Sequence, residues 1–489
     1  MTSLGFGSCG SSASGTTSGG TLAQLIAIGA ADSHLTANPE VTFWRARVQK
    51  CTNFAYESVC QTYSGALGYG AEASCTINRT GDLIYWMYVL IDIPGIVGVP
   101  KASSNNLFQG GRFKQGQQFP WNTDEDPHCD ETQDLEEDDP FGDDTDDEFE
   151  GFVDDDYCLK TGLRKPYANW VNEIGHAIIQ RVCFSIGGQV IDTLHSHYMH
   201  MWEELTGQPG KRLEEMIGKR YTRAQLVHDS SRDRKLYVPL PFYFTQHSGN
   251  ALPLVSLQFH SVQIHVKFSP LCELVQVSHK EVDVYKLQQN TGEISSMLMD
   301  NDIKAMLDTT YIYLDMEERD RFALGSFQQL ITQVQRSFML GKDTTKTHQL
   351  NFNHPCIEIL WAVQRNRMIG HNNTFDYSGQ GHTDPMIRAT LKVNNLTRFD
   401  REATFFRLKV PYEVHTNIPR NFIYCYSFAL KPEDCQPSGS LNFSRIDNVE
   451  FSIDVAQNVA DTGFHVIMFA RNFNILRLKE GLGGLLFSN

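Results

Sequence analysis

Three histidines, His195, His197 and His200, form the most metal-like cluster in the sequence. A His-x-His pair at a strand end, followed by a third His from the next turn, can converge imidazole nitrogens on a divalent cation. A tetrahedral site needs a fourth ligand, and the neighbourhood supplies none. The plainer reading is a polar, partly exposed junction between a strand and a helix. Asp143, Asp144, Asp146 and Asp147 offer hard oxygen ligands of the kind calcium takes. The Gly and terminal Glu of an EF-hand loop are out of place there, so the expectation is a solvated, self-repelling loop. Diffuse, low-affinity divalent binding is the sharper alternative for these four residues.

Other chemistry is harder to find. Gly68-x-Gly70 lacks the third Gly of a dinucleotide fingerprint and has no βαβ context, so it reads as a turn. Gly341-Lys342 is followed by Asp343 where a P-loop requires Ser or Thr. No GxSxG or HExxH occurs, and nothing singles out a catalytic carboxylate pair. Asn78, Asn372, Asn395 and Asn442 head Asn-x-Ser/Thr triplets. Without a secretory signal these are expected to be bare. The eleven cysteines contain no CxxC pair, which predicts reduced thiols, most of them small buried hydrophobes. The residues therefore predict no catalytic centre, no cofactor and no dedicated metal site.

The charge is unevenly placed. Of 58 Asp+Glu in the 489-residue chain, 19 lie between Asp124 and Asp156, a stretch with no Lys or Arg. The rest of the chain holds 39 acids against 42 bases, a near-neutral body carrying one anionic insert. That weakens any reading as a basic nucleic-acid binder. Met1-Thr2-Ser3-Leu4-Gly5 opens no secretory signal, and the apolar run Leu83 to Ile91 is too short for a helical membrane span. The expectation is a soluble protein that is not secreted.

The elements that position these residues read as strands. Residues 1–21 form a Gly/Ser/Thr-rich arm with too little apolar surface to order itself. Phe54 to Tyr63, Ala71 to Ile77 and Asp82 to Ile93 carry β-rich signals separated by Gly turns. Residues 94–166, including the acidic loop 124–156, break the rhythm as one long insertion within a sheet domain. Val182 to Ile186, Gly187-Gly188 and Val190-Ile191 read as a hairpin. A helical segment spans 198–226. Leu236 to Phe244 reads as strand, and Val262, Ile264, Val266 and Phe268 alternate with polar residues as a half-buried strand does. Thr310 to Leu314 reads as another.

Near Glu317 to Phe327 the character changes, and a second series begins. It contains Gln349 to Phe352, Ile357 to Val363, Ile387 to Val393, Phe422 to Leu430, the alternating Val449 to Val455, and Val466 to Ala470. Two all-β units of similar strand number predict paired antiparallel sandwiches, 22–325 and 326–489, with no sequence repeat between them.

Several blocks resemble the major capsid proteins of nucleocytoplasmic large DNA viruses, of the chlorella-, irido-, mimi- and marseillevirus-like type. They are Leu22 to Cys60, Asn78 to Ile84, Leu236 to Phe268, Leu350 to Pro355, Tyr426 to Asn448 and Asn474 to Phe487. The main departure is 94–166, where the chlorella-virus type has a short connection. The resemblance implies an all-β chain of two consecutive eight-stranded jelly rolls. It implies homotrimeric, pseudo-hexagonal capsomers that tile an icosahedral shell without catalysis. The partners implied are the chain itself, neighbouring capsomers, and minor capsid and penton proteins, without sequence-specific nucleic-acid contact. The virion is the implied location, with assembly in a cytoplasmic virus factory. The acidic loop is expected to face outward, towards cations, a cap protein or a host surface. The reading that competes from another class is a cytosolic β-sandwich glycan-binding protein or glycoside hydrolase.

Overall fold

The computed structural model describes residues 50–96, 167–208, 210, 211, 213–278 and 303–487, with a few positions between 23 and 38. From Phe54 onward the chain forms one compact unit built of two successive sandwiches. The first uses β1 (Phe54–Thr62), β2 (Glu72–Thr76), β3 (Leu83–Ile93), β4 (Ile179–Ile186), β5 (Gln189–His195), β6 (Arg234–Pro239), β7 (Val262–Phe268) and β8 (Lys304–Leu314). Hydrogen bonding orders them β1-β8-β3-β6 in one sheet and β2-β7-β4-β5 in the other.

The second sandwich uses β9 (Phe327–Gly341), β10 (Thr345–Gln349), β11 (Pro355–Arg365) and β12 (Met386–Val393). It is completed by β13 (Leu396–Glu402), β14 (Ile423–Ser427), β15 (Val449–Val455) and β16 (Phe464–Lys479). Their order is β9-β16-β11-β14 and β10-β15-β12-β13. Each position of the second sandwich is the first advanced by eight strands, so both halves are jelly rolls of one topology. Among these sixteen strands only β4–β5 and β12–β13 pair as sequence neighbours, and the short strand Leu482–Leu485 folds back on β16; the other pairings among the sixteen cross between distant strands.

Side-chain period explains which faces close. In β7 and β15 every second residue is buried, and the intervening ones are half-exposed. The β4–β5 hairpin turns on Gly187 (φ 57°) and Gly188 (φ 86°), the double positive φ that a two-residue type I′ turn requires.

In contrast, β11 is buried along almost its whole length. Ile359, Trp361 and Val363 point into the core of the second roll, whereas Leu360 and Ala362 belong to the core of the first. Along β16, Val466, Met468 and Ala470 alternate in the same way with Ile467 and Phe469. The central sheet of the second roll is therefore covered on both sides. That makes its strands continuously apolar rather than alternating. Each large side chain in this seam contributes about 1.5–3 kcal/mol of burial.

Several elements differ from the sequence expectations. The strand expected over Leu236 to Phe244 stops at Pro239, because Pro239 and Pro241 cannot donate to a ladder, and Tyr243–Gln246 coils into a helical turn. The strand expected at Gln349 to Phe352 is β10, Thr345–Gln349. Its polar residues are held by backbone pairing to β15, while Leu350 and Phe352 are buried beyond it.

Polar β9 and β13 carry no strand signal of the expected kind, and in β13 only Phe399 is buried. The change of character near 317 is the helix Met316–Leu324, capped by Asp315 accepting from Glu317 N at 2.9 Å. The helical segment 198–226 resolves into α2 (Ser196–Thr206), α3 (Glu214–Ile217) and α4 (Arg223–Ser230), preceded by α1 (Ile174–Ile178).

The eight described cysteines are free, but only Cys75, Cys356 and Cys425 are buried, against the expectation that most would be. No helix among the described residues is long and apolar enough to cross a membrane. The N-terminal arm 1–21 lies outside the described residues. So do residues 97–166, and with them the acidic loop 124–156.

Candidate functional site

The most concentrated charge among the described residues lies where the helical layer of the first roll meets the second. It starts from Glu173, which precedes α1 in the left-handed region (φ 54°), a conformation that non-glycine residues adopt at a cost of about 1–3 kcal/mol. α1 carries His176 one turn on. α2 presents His200, Glu203 and Glu204 within one turn of each other, so they share a face. Gly218, at φ 76°, ends α3 and turns the chain so that Lys219 enters the cluster.

Glu173 is divided between two neighbours. Its Oε2 lies 2.6 Å from His200 Nδ1, and its Oε1 lies 2.9 Å from Lys219 Nζ. Lys219 also bonds Glu204 Oε1. Burial pushes the Glu173 carboxyl up, but His200 and Lys219 hold it well below the usual carboxylate range. Burial also lowers Lys219, and the carboxylates of Glu173 and Glu204 outweigh it, raising the ammonium above its ordinary value.

The second roll closes the cluster: Asn421 Nδ2 donates to His200 Nε2 at 2.9 Å, and Arg420 N to Glu204 Oε2 at 3.0 Å. Beside these groups lies a cavity of about 610 Å³, walled by Glu173, Lys219 and Tyr221 on one side and by the 372–378 loop and Asn421 on the other.

A second charged group pins the same seam further along. Arg471 (β16) donates to Glu358 Oε1 (β11) at 3.3 Å and to Gln246 Oε1 of the first roll at 2.8 Å, and lies 4.3 Å over the Trp202 ring of α2. His415 Nε2 lies 3.0 Å from Glu358 Oε2, and its Nδ1 lies 2.9 Å from Glu433 Oε1. Burial disfavours a charged imidazole, yet Glu358 overrides it and pushes His415 up to about 12.

Nearby, Asp192 of β5 is buried and accepts through Oδ1 from Thr193 N (2.8 Å) and from Val334 N of β9 (3.0 Å). Burial raises its pKa to about 7. Glu173 with Lys219, and Glu358 with Arg471 and His415, pair opposite charges along the seam. The arrangement suits locking two sandwiches into one rigid body.

The structure separates the three candidate histidines. His195, at the end of β5, is lowered to about 4 by burial and then by Arg336. His197 shares the Phe375 and Tyr377 rings with His200 but bonds Tyr377 Oη through Nδ1 at 2.8 Å, and burial followed by Arg336 lowers it to about 3. Only His200 enters the charged cluster, where it is fully buried rather than partly exposed. Glu173, His176, Glu203 and Lys219 were missed. The spacing Glu-x-x-His at 173 and 176 and His-x-x-Glu at 200 and 203 was the available signal.

Asp143, Asp144, Asp146 and Asp147 lie outside the described residues. Of the sequons, Asn372 is buried and donates its amide to Cys272 O and Val275 O, bonds that a glycan would displace. Asn78, Asn395 and Asn442 are exposed.

A family profile described as Large eukaryotic DNA virus major capsid protein matches residues 318–484. A second, Major capsid protein N-terminus, matches 42–109 and 156–315. Residues 110–155, which hold all of the acidic run except Asp156, fall between its two matched segments. The chain is 30% identical over 499 residues to the major capsid protein of Pyramimonas orientalis virus, covering 96% of this chain and 100% of that one. It is 27% identical over 521 residues to the major capsid protein of Paramecium bursaria Chlorella virus 1, with the same coverage.

Among solved structures, PBCV-1 VP54 superposes with a TM-score of 0.65 at 24% identity, over 92% of this chain and 100% of that one. The Faustovirus major capsid protein superposes at 0.64 and 11% identity, over 94% and 96%. Nothing in these similarities supports the glycan-binding alternative.

Proposed function

The chain belongs to the major capsid proteins of large eukaryotic DNA viruses, and from that membership we propose that three copies form a pseudo-hexagonal capsomer of an icosahedral shell. The observation that carries the reading is the repetition of one strand order in two rolls, with a sheet of the second packed on both faces, one of them against the core of the first. One such chain offers two similar sandwiches, and a threefold axis turns two into six. Because the seam is both apolar and ionically locked, the two rolls keep a fixed mutual orientation. A lattice of many identical contacts needs that constancy. The near-neutral charge outside 124–156 suits close lateral packing, since neighbouring copies carry little net repulsion.

Within that reading the units are 22–325 and 326–489, with 1–21 as an arm that orders on minor capsid or penton partners. The insertion 94–166 projects outward. Its three copies repel at short range, over a screening length of about 8 Å, and present carboxylates such as Asp143, Asp144, Asp146 and Asp147 to cations, a cap protein or host surface. Assembly takes place in the host cytoplasm, where the thiols stay reduced. A density map of the intact particle tests this: six lobes per capsomer with the insertion on the outer surface support it. An insertion facing inward overturns its placement, and a shell protein without threefold units overturns the reading.

A further inference from the structure

The lock at the helical layer contains donors that the lysine does not use. Glu173, His176, His200 and Glu203 each place one ligand atom within 4.8 Å of all the others, a grouping drawn from α1 and α2. His176 is 1% exposed, and its Nδ1 has no hydrogen-bond partner. It lies 3.8 Å from Glu173 Oε2, beyond hydrogen-bond distance. Oε2 of Glu203 is likewise buried without a partner. Two adjacent orphans, one nitrogen and one carboxylate oxygen, are costly unless something satisfies both.

Lys219 does not satisfy them. It takes Oε1 of Glu173 and Oε1 of Glu204, leaving Oε2 of Glu173 turned to the histidines. Three glutamates meet one ammonium in this layer. The neighbouring arginines are otherwise engaged: Arg220 bonds Asp229, and the guanidinium of Arg420 lies over Tyr221.

We propose that Glu173, His176, His200 and Glu203 form a two-nitrogen, two-oxygen site for a divalent transition-metal ion, zinc first, that ties α1 to α2. Tetrahedral zinc with bonds of about 2.0–2.2 Å sets its ligand atoms about 3.3 Å apart, so the four donors close by small rotamer changes. Imidazole with carboxylate is a ligand set that suits zinc and excludes the thiolate chemistry of zinc fingers.

Metal binding at Nδ1 requires the hydrogen that Nδ1 shares with Glu173 to be lost there and taken up at Nε2, a change of tautomer with no net change in ring charge. Asn421 then turns its amide so that its oxygen accepts that hydrogen, a supporting contact supplied by the second roll. The metal thereby tightens the seam through a residue that does not touch it.

The test uses the full chain, purified without a histidine tag or chelator. Elemental analysis is expected to find about one zinc per chain. After stripping with EDTA, titrated zinc binds saturably at one site, and cobalt gives the visible absorption of a tetrahedral complex. Glu203→Gln keeps shape and removes a ligand, so its metal content falls at least tenfold while its elution volume stays that of wild type. His176→Ala is the second variant. Stripped, folded wild-type protein that takes up neither zinc nor cobalt overturns the proposal. So does binding unchanged in both variants, which would place the ion elsewhere.

Discussion

Replacing Asp192 by Asn should stabilise the protein above neutral pH and leave it nearly unchanged in acid. Both hydrogen bonds that Asp192 accepts arrive at Oδ1, from Thr193 N and Val334 N. An asparagine carbonyl can accept both, so the substitution removes the buried charge without removing the seam contact. Burial raises the folded-state pKa from 3.8 to about 7. As pH rises, the unfolded chain loses this proton first. The penalty is absent below about pH 4, grows between about 4 and 7, and is constant above.

Three units correspond to about 4 kcal/mol at 1.36 kcal/mol per unit. Loss of charge assistance in two hydrogen bonds returns part of that, leaving a net gain of about 2 kcal/mol at pH 8. In a domain the size of one roll this is about 4–8 °C in melting temperature. Scanning calorimetry of wild type and Asp192→Asn from pH 4 to 8 reads the difference directly. A shift that is absent at pH 8, or equal at both ends, would refute the reasoning.

Arg471→Met leaves Glu358 buried against His415 alone and should cost about 3–5 kcal/mol, seen as a lowered melting temperature. Phe469→Ala opens the apolar seam and should cost about 3–5 kcal/mol, with protease cleavage rising between the rolls. His415 is raised from 6.5 to about 12, so its contribution is complete below about pH 6.5 and drains away as pH rises towards 12. His415→Gln should therefore flatten the alkaline arm of a stability profile; an unchanged arm would remove His415 from its cause.

The strands that alternate cleanly, β7 and β15, were legible because one face of each is half-solvated. So was the Gly187-Gly188 hairpin, whose turn chemistry is local. β13 was not, since six of its seven residues are exposed or outward and only pairing with β12 makes it a strand. Ile357 to Val363 announced a buried strand but not that Leu360 and Ala362 serve a different core from Trp361. That division depends on the second sandwich meeting the first, which no short window records. The charged lock shows the same limit: of His195, His197 and His200, close in sequence, only His200 joins it, whereas Glu173 and Lys219 are 46 positions apart and touch.

The central claim is that one chain supplies two of six sandwiches in a threefold brick. Light scattering on the purified protein, coupled to size exclusion, tests it most directly. The account predicts a single species near three times 55.4 kDa, with six lobes in averaged electron micrographs. A stable monomer of 55.4 kDa at micromolar concentration would contradict it.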